Sequence, residues 1–405
     1  MRIRSFQGLR PSSDSVNKLV SLPYDVVSTE EARALAAGNP VSMLHVVRAE
    51  IDFPEGTDPY SDEVYGKAVA NFLRLQAEGH LVRESGPSVY VYQQQMGDHT
   101  QQGIVALSHV DDYEKDLIKK HEKTRVAKEN DRTRLTSEMS ANTGPVFLTY
   151  NEVPELTRLM QEASGGTPLY DLVADDGIRH TVWKIEGGEA VMSAFTDVPC
   201  TYVADGHHRA ASAARVGKER QDANPNHTGE EDYNWFLTVL FPGNQLKILP
   251  YNRIVHTLNG LSAADCLERI NKVSSVCEAD TDTPKEVGDV RFYLDGKWYR
   301  IELSPEEGAD PVSKLDVSML QDRILSPILG IDDPRTSDDI DFVGGIRGTA
   351  YLKEQVDAGK GAIAFSMYPV SVEQLMEIAD AGQIMAPKST WFEPKLRSGF
   401  FVHTF

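Results

Sequence analysis

The run Asp205-Gly206-His207-His208-Arg209 constrains this chain more than any other stretch of it. Before it, Thr201-Tyr202-Val203 reads as a short buried strand, because β-branched and aromatic residues suit a pleated, half-buried surface. After it, Ala210-Ala211-Ser212-Ala213-Ala214 favours a helix. Glycine lets the backbone turn and approach an anion closely, since no Cβ intervenes. The open N–H groups of a helix start and the fork of an arginine then suit phosphate. The unit therefore reads as strand, glycine turn, phosphate cradle and helix. Two plainer readings stand beside it, a polar surface turn and half of a metal site. Adjacent residues in a turn seldom aim both imidazoles at one ion, and no zinc-type spacing accompanies them. The cradle leads.

The 405 residues can bury more than one core, so two or three domains are expected. Hydrophobic residues at 40% and charged ones at 25% are the profile of a globular protein. The apolar runs are too short to span a bilayer, and the N-terminal residues show no apolar leader, so a cytoplasmic protein is expected. Cys200, Cys266 and Cys277 are widely spaced and read as thiols in a reducing compartment. The 41 basic residues stand against 61 acidic ones, a net charge of −20. That opposes nucleic-acid binding through a basic face while leaving room for a local anion pocket.

Along the chain, Ser28-Thr29-Glu30-Glu31 has capping-box spacing, with Gly38 as the stop of a short helix. Val64, Ala68, Phe72 and Leu75 repeat at helical spacing and predict a helix over 62–78. Residues 88–95 and 102–110 predict a hairpin, turning at Gly97-Asp98. Residues 111–135 are polar on nearly every side, which predicts a solvated helix. On such a helix His121, Arg125 and Lys128 share a face, and that face could close over a polyphosphate. Strands and helices alternate irregularly, with hairpins, which favours α+β (mixed α/β) over a doubly wound sheet. The division expected is 1–255, with an inserted helical segment at 111–165, and 256–405, an α/β domain.

Six stretches together resemble one microbial family, the domain of unknown function 1015. They are Leu22-Pro23-Tyr24-Asp25-Val26-Val27, His121-Glu122-Lys123-Thr124-Arg125, Ala141-Asn142-Thr143-Gly144-Pro145-Val146-Phe147, the Asp205–Arg209 box, Leu249-Pro250-Tyr251-Asn252-Arg253 and the run from Pro387 to Lys395. Through the box the family is similar to the ParB/sulfiredoxin superfamily. Those relatives bind a nucleoside triphosphate, and some members phosphorylate free L-serine to O-phosphoserine. The resemblance implies a ParB/sulfiredoxin-like nucleotide-binding core and phosphoryl transfer from ATP or ADP, with Mg²⁺, to a small hydroxyl.

On that implication Gly206 and the following N–H groups hold the phosphates, and His207, His208 and Arg209 add donors, Arg209 as the fork. Asp25 takes the hydroxyl proton, with Glu30 and Glu122 as understudies; equally, Asp25 could only form a turn and Glu30 only charge a helix start. Asp205 either binds Mg²⁺ or orients His207. Tyr24 and Arg253 are carried to the substrate, and Lys388, Lys395 and Arg397 to a substrate carboxylate or a phosphate, these three otherwise being a basic loop. Two other functions stay open, a partition-type nucleotide switch and a nucleotide phosphohydrolase. The implied partner is a small molecule, L-serine first, with neither nucleic acid nor membrane, and a homodimer stays open.

Overall fold

The computed structural model describes residues 1–405 and shows a mixed α/β chain in two compact units. The first comprises Met1–Lys120, Thr124–Leu246 and Pro394–Phe405; the second comprises His121–Lys123 and Lys247–Glu393. The division expected after residue 255 falls at Leu246 instead. Tyr251–Val255 is paired on both sides within the second unit's sheet, which fixes its membership.

Nine strands form the main sheet of the first unit. In chain order they are β1 (Ile3–Arg4), β2 (Ser88–Met96), β3 (His99–His109), β4 (Ile118–Lys119), β5 (Val146–Tyr150), β6 (Tyr170–Val173), β7 (Arg179–Glu186), β8 (Thr201–Asp205) and β9 (Trp235–Pro242). The spatial order is β4-β8-β5-β9-β3-β2-β7-β6, with β1 on β3. β5 and β9 run parallel, as do β4 and β8, and every other neighbour is antiparallel. The β2–β3 hairpin turns at Gly97, whose φ of +57° lies where glycine is favoured. Val91, Ile104, Ala106, Leu148, Val203 and Leu240 from the central strands share one core. Burying each large aliphatic chain contributes roughly 1.5–3 kcal/mol.

Helix α1 (Thr29–Leu35) starts with the expected capping box: Ser28 Oγ accepts from the Glu31 N–H, and Glu31 accepts from the Ser28 N–H. Helix α2 (Asp62–Ala77) buries Val64, Ala68, Phe72 and Leu75 on one face. The polar stretch at 111–135 departs from the single helix expected there, and 111–165 is no helical insertion. A short helix, Val110–Glu114, ends where Asp116 adopts a φ of +54°. Ile118, fully buried, then pairs with Thr201 in the sheet, so burial of one side chain overrides a weak helical preference. Helix α3 begins only at Val126 and runs to Met139, and β5 lies inside the sheet.

Helix α4 (His207–Ala223) follows β8 directly. Ala210, Ala213, Ala214 and Gly217 form its buried face, and small side chains let its backbone lie close to its neighbours. A Cβ on Gly217 would stand 2.9 Å from the Tyr233 carbonyl oxygen.

The second unit carries a wholly antiparallel six-stranded sheet. Its strands are β10 (Tyr251–Val255), β11 (Cys277–Glu278), β12 (Asp289–Leu294), β13 (Lys297–Glu302), β14 (Ile340–Gly344) and β15 (Ile363–Ser366), in the order β11-β13-β12-β15-β10-β14. Beside it the Asp316 carboxylate accepts the Gly288 N–H on both oxygens, at 3.0 and 2.9 Å. Burial pushes this carboxyl up to about 6, and the neighbouring Asp289 adds to the rise. A raised folded-state pKa favours the folded protein below the unfolded value and loses that contribution as pH climbs through the folded one. Two pH units correspond to about 3 kcal/mol. Asp316→Asn, which keeps an acceptor for Gly288, is expected to raise the unfolding temperature at pH 8 and to flatten its fall between pH 4 and 6. Thermal melts across that range check it.

No helix is long and apolar enough to cross a membrane.

Candidate functional site

Strand β8 delivers Asp205 to its C-terminal end, where the register with β5 shifts between Val203 and Asp205. Gly206 then turns with a φ of +94° and serves as N-cap of α4. The strand, glycine turn and helix expected from the sequence are therefore present. The glycine answers two constraints at once. Its φ is left-handed, and a Cβ would stand 2.9 Å from Arg209 Nε. Gly206→Ala is expected to cost roughly 1–3 kcal/mol and to push the arginine out of place. Chemical denaturation checks the first effect and nucleotide titration the second.

Arg209 forks onto the protein itself. One Nη donates to Asp205 Oδ2 at 2.7 Å and the other to the Pro145 carbonyl oxygen. Its Nε is buried against the glycine turn without a hydrogen-bond partner. The guanidinium expected to clasp phosphate instead ties the end of β8 to the loop that enters β5. Burial pulls its pKa down, but Asp25 and Asp205 more than reverse this and leave it raised. Asp205 is held from its other side by Lys395, whose Nζ donates to Oδ1 at 2.7 Å. Burial alone would raise the Asp205 carboxyl; Lys395, Arg209 and His207 outweigh it and hold the group far below the usual carboxylate range. With one cation on each oxygen, Asp205 is a poor ligand for a magnesium ion. The direct metal role considered for it does not fit this geometry.

His207 opens α4 and is buried. His208 is half-buried, and its Nε2 accepts the Arg125 backbone N–H at 3.0 Å. That bond puts the ring proton on Nδ1. Burial lowers the His208 pKa, with Asp25 pulling it up and Arg125 down, so the neutral ring is the form at neutral pH. His208 is thus a neutral Nδ1–H donor.

Asp25 lies in a turn after Pro23-Tyr24, exposed and without a hydrogen-bond partner. Its charge acts on Tyr24, His208 and Arg209 alike, which places it beside the cradle. Tyr24 is buried beneath the Arg132 guanidinium, which sits 4.1 Å from the ring centroid. Burial, chiefly, raises its phenol, and its ring borders a cavity of about 40 Å³ with Arg132, Asn142, Thr143 and Arg209. A space of that size with polar groups on part of its wall suits a water molecule. Glu30 belongs elsewhere. It accepts from Ser28 Oγ at 2.8 Å in the first turn of α1, and hydrogen bonds from its own backbone and Ser28 lower its pKa.

The shared face of His121, Arg125 and Lys128 does not form, because residues 121–125 are not helical. Arg125 is the N-cap of α3, and the Lys128 Nζ lies 5.8 Å from the Tyr60 ring centroid. His121 and Glu122 belong to the second unit, where the His121 carbonyl accepts the Met385 N–H at 2.8 Å. Arg253 and Lys388 also lie there. Arg253 is buried and donates to the Tyr251 and Lys388 carbonyl oxygens, and burial lowers its pKa to about 10. Lys388 has a φ of +60° and places its Nζ 5.6 Å from the Tyr251 ring centroid. Arg253 is therefore a brace for the Lys388 turn, not an open substrate ligand.

Sequence reasoning missed the clamps on the cradle, namely the Pro145 carbonyl and the pairing of Lys395 with Asp205. Lys395 is 190 positions away, and no periodicity connects the two. It also missed the role of Arg132 over Tyr24, because Arg132 carried no distinguishing signal within the polar stretch 111–135.

Among solved structures the chain is similar to a free serine kinase mutant in complex with AMP, at 13% identity, covering 73% of this chain and 92% of that one, with a TM-score of 0.39. A conserved hypothetical protein from Pyrococcus furiosus gives 14%, 73%, 94% and 0.37. A C-terminally truncated SbnI from Staphylococcus aureus gives 10%, 73%, 85% and 0.40. Likeness at this level assigns no residue roles. No curated protein sequence matches the chain significantly. A family match is nevertheless clear: residues 3–318 fit the model described as protein of unknown function (DUF1015), and the chain belongs to that family.

Proposed function

We propose that this protein is a nucleotide-dependent phosphotransferase acting on a small hydroxyl compound, with ATP or ADP as donor. The observation that carries this is the unpartnered Asp25 carboxylate beside the glycine turn at the start of α4. A ParB/sulfiredoxin-like cradle is the corresponding reading of the core. The donor's phosphates lie against the N–H groups that open α4, a helix long enough for its dipole to favour negative charge. His208 adds its Nδ1–H. Arg209 and Lys395 hold Asp205, and through it the end of β8, so the turn keeps its shape as charge moves. Asp25 accepts the acceptor's hydroxyl proton while the new O–P bond forms. The terminal phosphoryl group leaves ADP or AMP behind, according to the donor. Phosphoryl transfer depends mostly on such positioning and neutralisation.

L-serine is the acceptor favoured by the sequence resemblance. Magnesium enters the assay as the nucleotide's companion, and no residue of this chain is assigned to it. Phosphorus NMR with Mg²⁺ and ATP, then ADP, with and without L-serine, tests the reading. A phosphomonoester signal that requires serine supports it. Nucleotide consumed without an acceptor would make the protein a phosphohydrolase. Unchanged spectra with both nucleotides would remove L-serine as acceptor.

A further inference from the structure

A second cavity in the first unit, about 480 Å³, has no part in the chemistry described so far. Its volume falls within the roughly 300–1,000 Å³ range of small-molecule sites. One wall is Arg397, only 5% exposed. Its Nε–H donates to His180 Nε2 at 3.2 Å, and one Nη donates to Asp176. A guanidinium cannot accept, so His180 Nε2 must be the acceptor and the ring proton sits on Nδ1, donated to the Tyr92 oxygen at 2.7 Å. Burial, with Arg397 beside it, pushes His180 down to about 3, consistent with that neutral ring. The Nε and one Nη of Arg397 are thereby fixed, while its remaining Nη has no protein partner. A buried, oriented guanidinium with an open donor at a cavity wall is a built recognition point.

The rest of the wall defines what would fit. Lys18 and Asp175 face the cavity without ion-pair partners. Asp176 adds a second carboxylate next to Arg397, and Asp171 is already tied to Arg179. A phosphate or other dianion would meet these carboxylates, and a simple cation would leave the Arg397 donor unmet. Only a ligand with both charges satisfies both sets. The rim carries Leu35 and Val173, 50% and 65% exposed, large apolar side chains left open where a ligand's own apolar group could cover them.

We propose that this cavity binds a zwitterion with an apolar side chain, of amino-acid to dipeptide size. Its carboxylate lies on Arg397 and Lys18, its ammonium on Asp175 and Asp176, and its side chain against Leu35 and Val173. The proposal requires no activity at Asp25 or Asp205.

Isothermal titration calorimetry of the full chain, without nucleotide, tests it. The probes are leucine and leucyl-leucine, with isovalerate and isopentylamine as single-charge controls. Binding of a zwitterion and not of either control is expected, weakened at least about tenfold by Asp175→Asn and by Lys18→Gln. Both substitutions are at exposed positions, so they test the site without the risk of misfolding that Arg397→Ala carries. No binding of either zwitterion, equal binding of isovalerate, or binding indifferent to both substitutions would each overturn the proposal.

Discussion

Asp205→Ala is expected to destabilise the first unit by about 3–5 kcal/mol, the usual cost of removing one partner from a buried ion pair. Asp205 is shared by two cations, Arg209 and Lys395, each at 2.7 Å and each with a side chain about one-tenth exposed. Without the carboxylate, Arg209 keeps only its bond to Pro145, and the end of β8 loses its link to the C-terminal segment. For a unit of this size the unfolding temperature should fall by roughly 10 °C, at 2–4 °C per kcal/mol. Calorimetry at pH 7 measures it. A change within about 0.5 kcal/mol, the ordinary result for an exposed residue, would show that the network does not hold the turn. The pH dependence follows from the same pair of contacts. Because the Asp205 pKa is depressed on folding, its contribution is present above the unfolded carboxylate value and is lost as pH falls through the folded one. Acid unfolding below about pH 4 should therefore be blunted in the variant.

Asp25→Asn is expected to do the opposite, sparing the fold and removing the chemistry. The side chain is exposed and makes no hydrogen bond, so the only cost is the loss of its charge beside Arg209, and stability should fall by about 1 kcal/mol or less. Loss of a positioned general base lowers a turnover rate about 10²–10⁴-fold. Nucleotide affinity should remain, since the α4 N–H groups and His208 are untouched. A kcat that falls with KM for nucleotide unchanged supports the assignment. A variant with full activity would transfer the role of base to another group.

Much of the scaffold was legible from local pattern. The Ser28 capping box, the apolar face of α2, the β2–β3 hairpin and the strand–glycine–helix unit at 201–223 each depend on neighbours within a few residues. Short-range sterics and hydrogen bonding act over that span. The stretch at 111–135 went wrong for the complementary reason. Its own preferences are weak, and burial of Ile118 in a sheet formed with distant residues decided its structure.

The site divides along the same line. From its sequence alone this protein could be read to have a glycine at the turn, an arginine four positions after Asp205 and a carboxylate after Pro23-Tyr24. Residue chemistry and local spacing carry that information. Only the tertiary structure decided which way Arg209 points, that His208 is a neutral donor, and that Lys395 reaches back across the chain to Asp205. A charged side chain in a low-dielectric interior settles on whichever partners the fold brings within hydrogen-bond range, and sequence separation does not enter that choice.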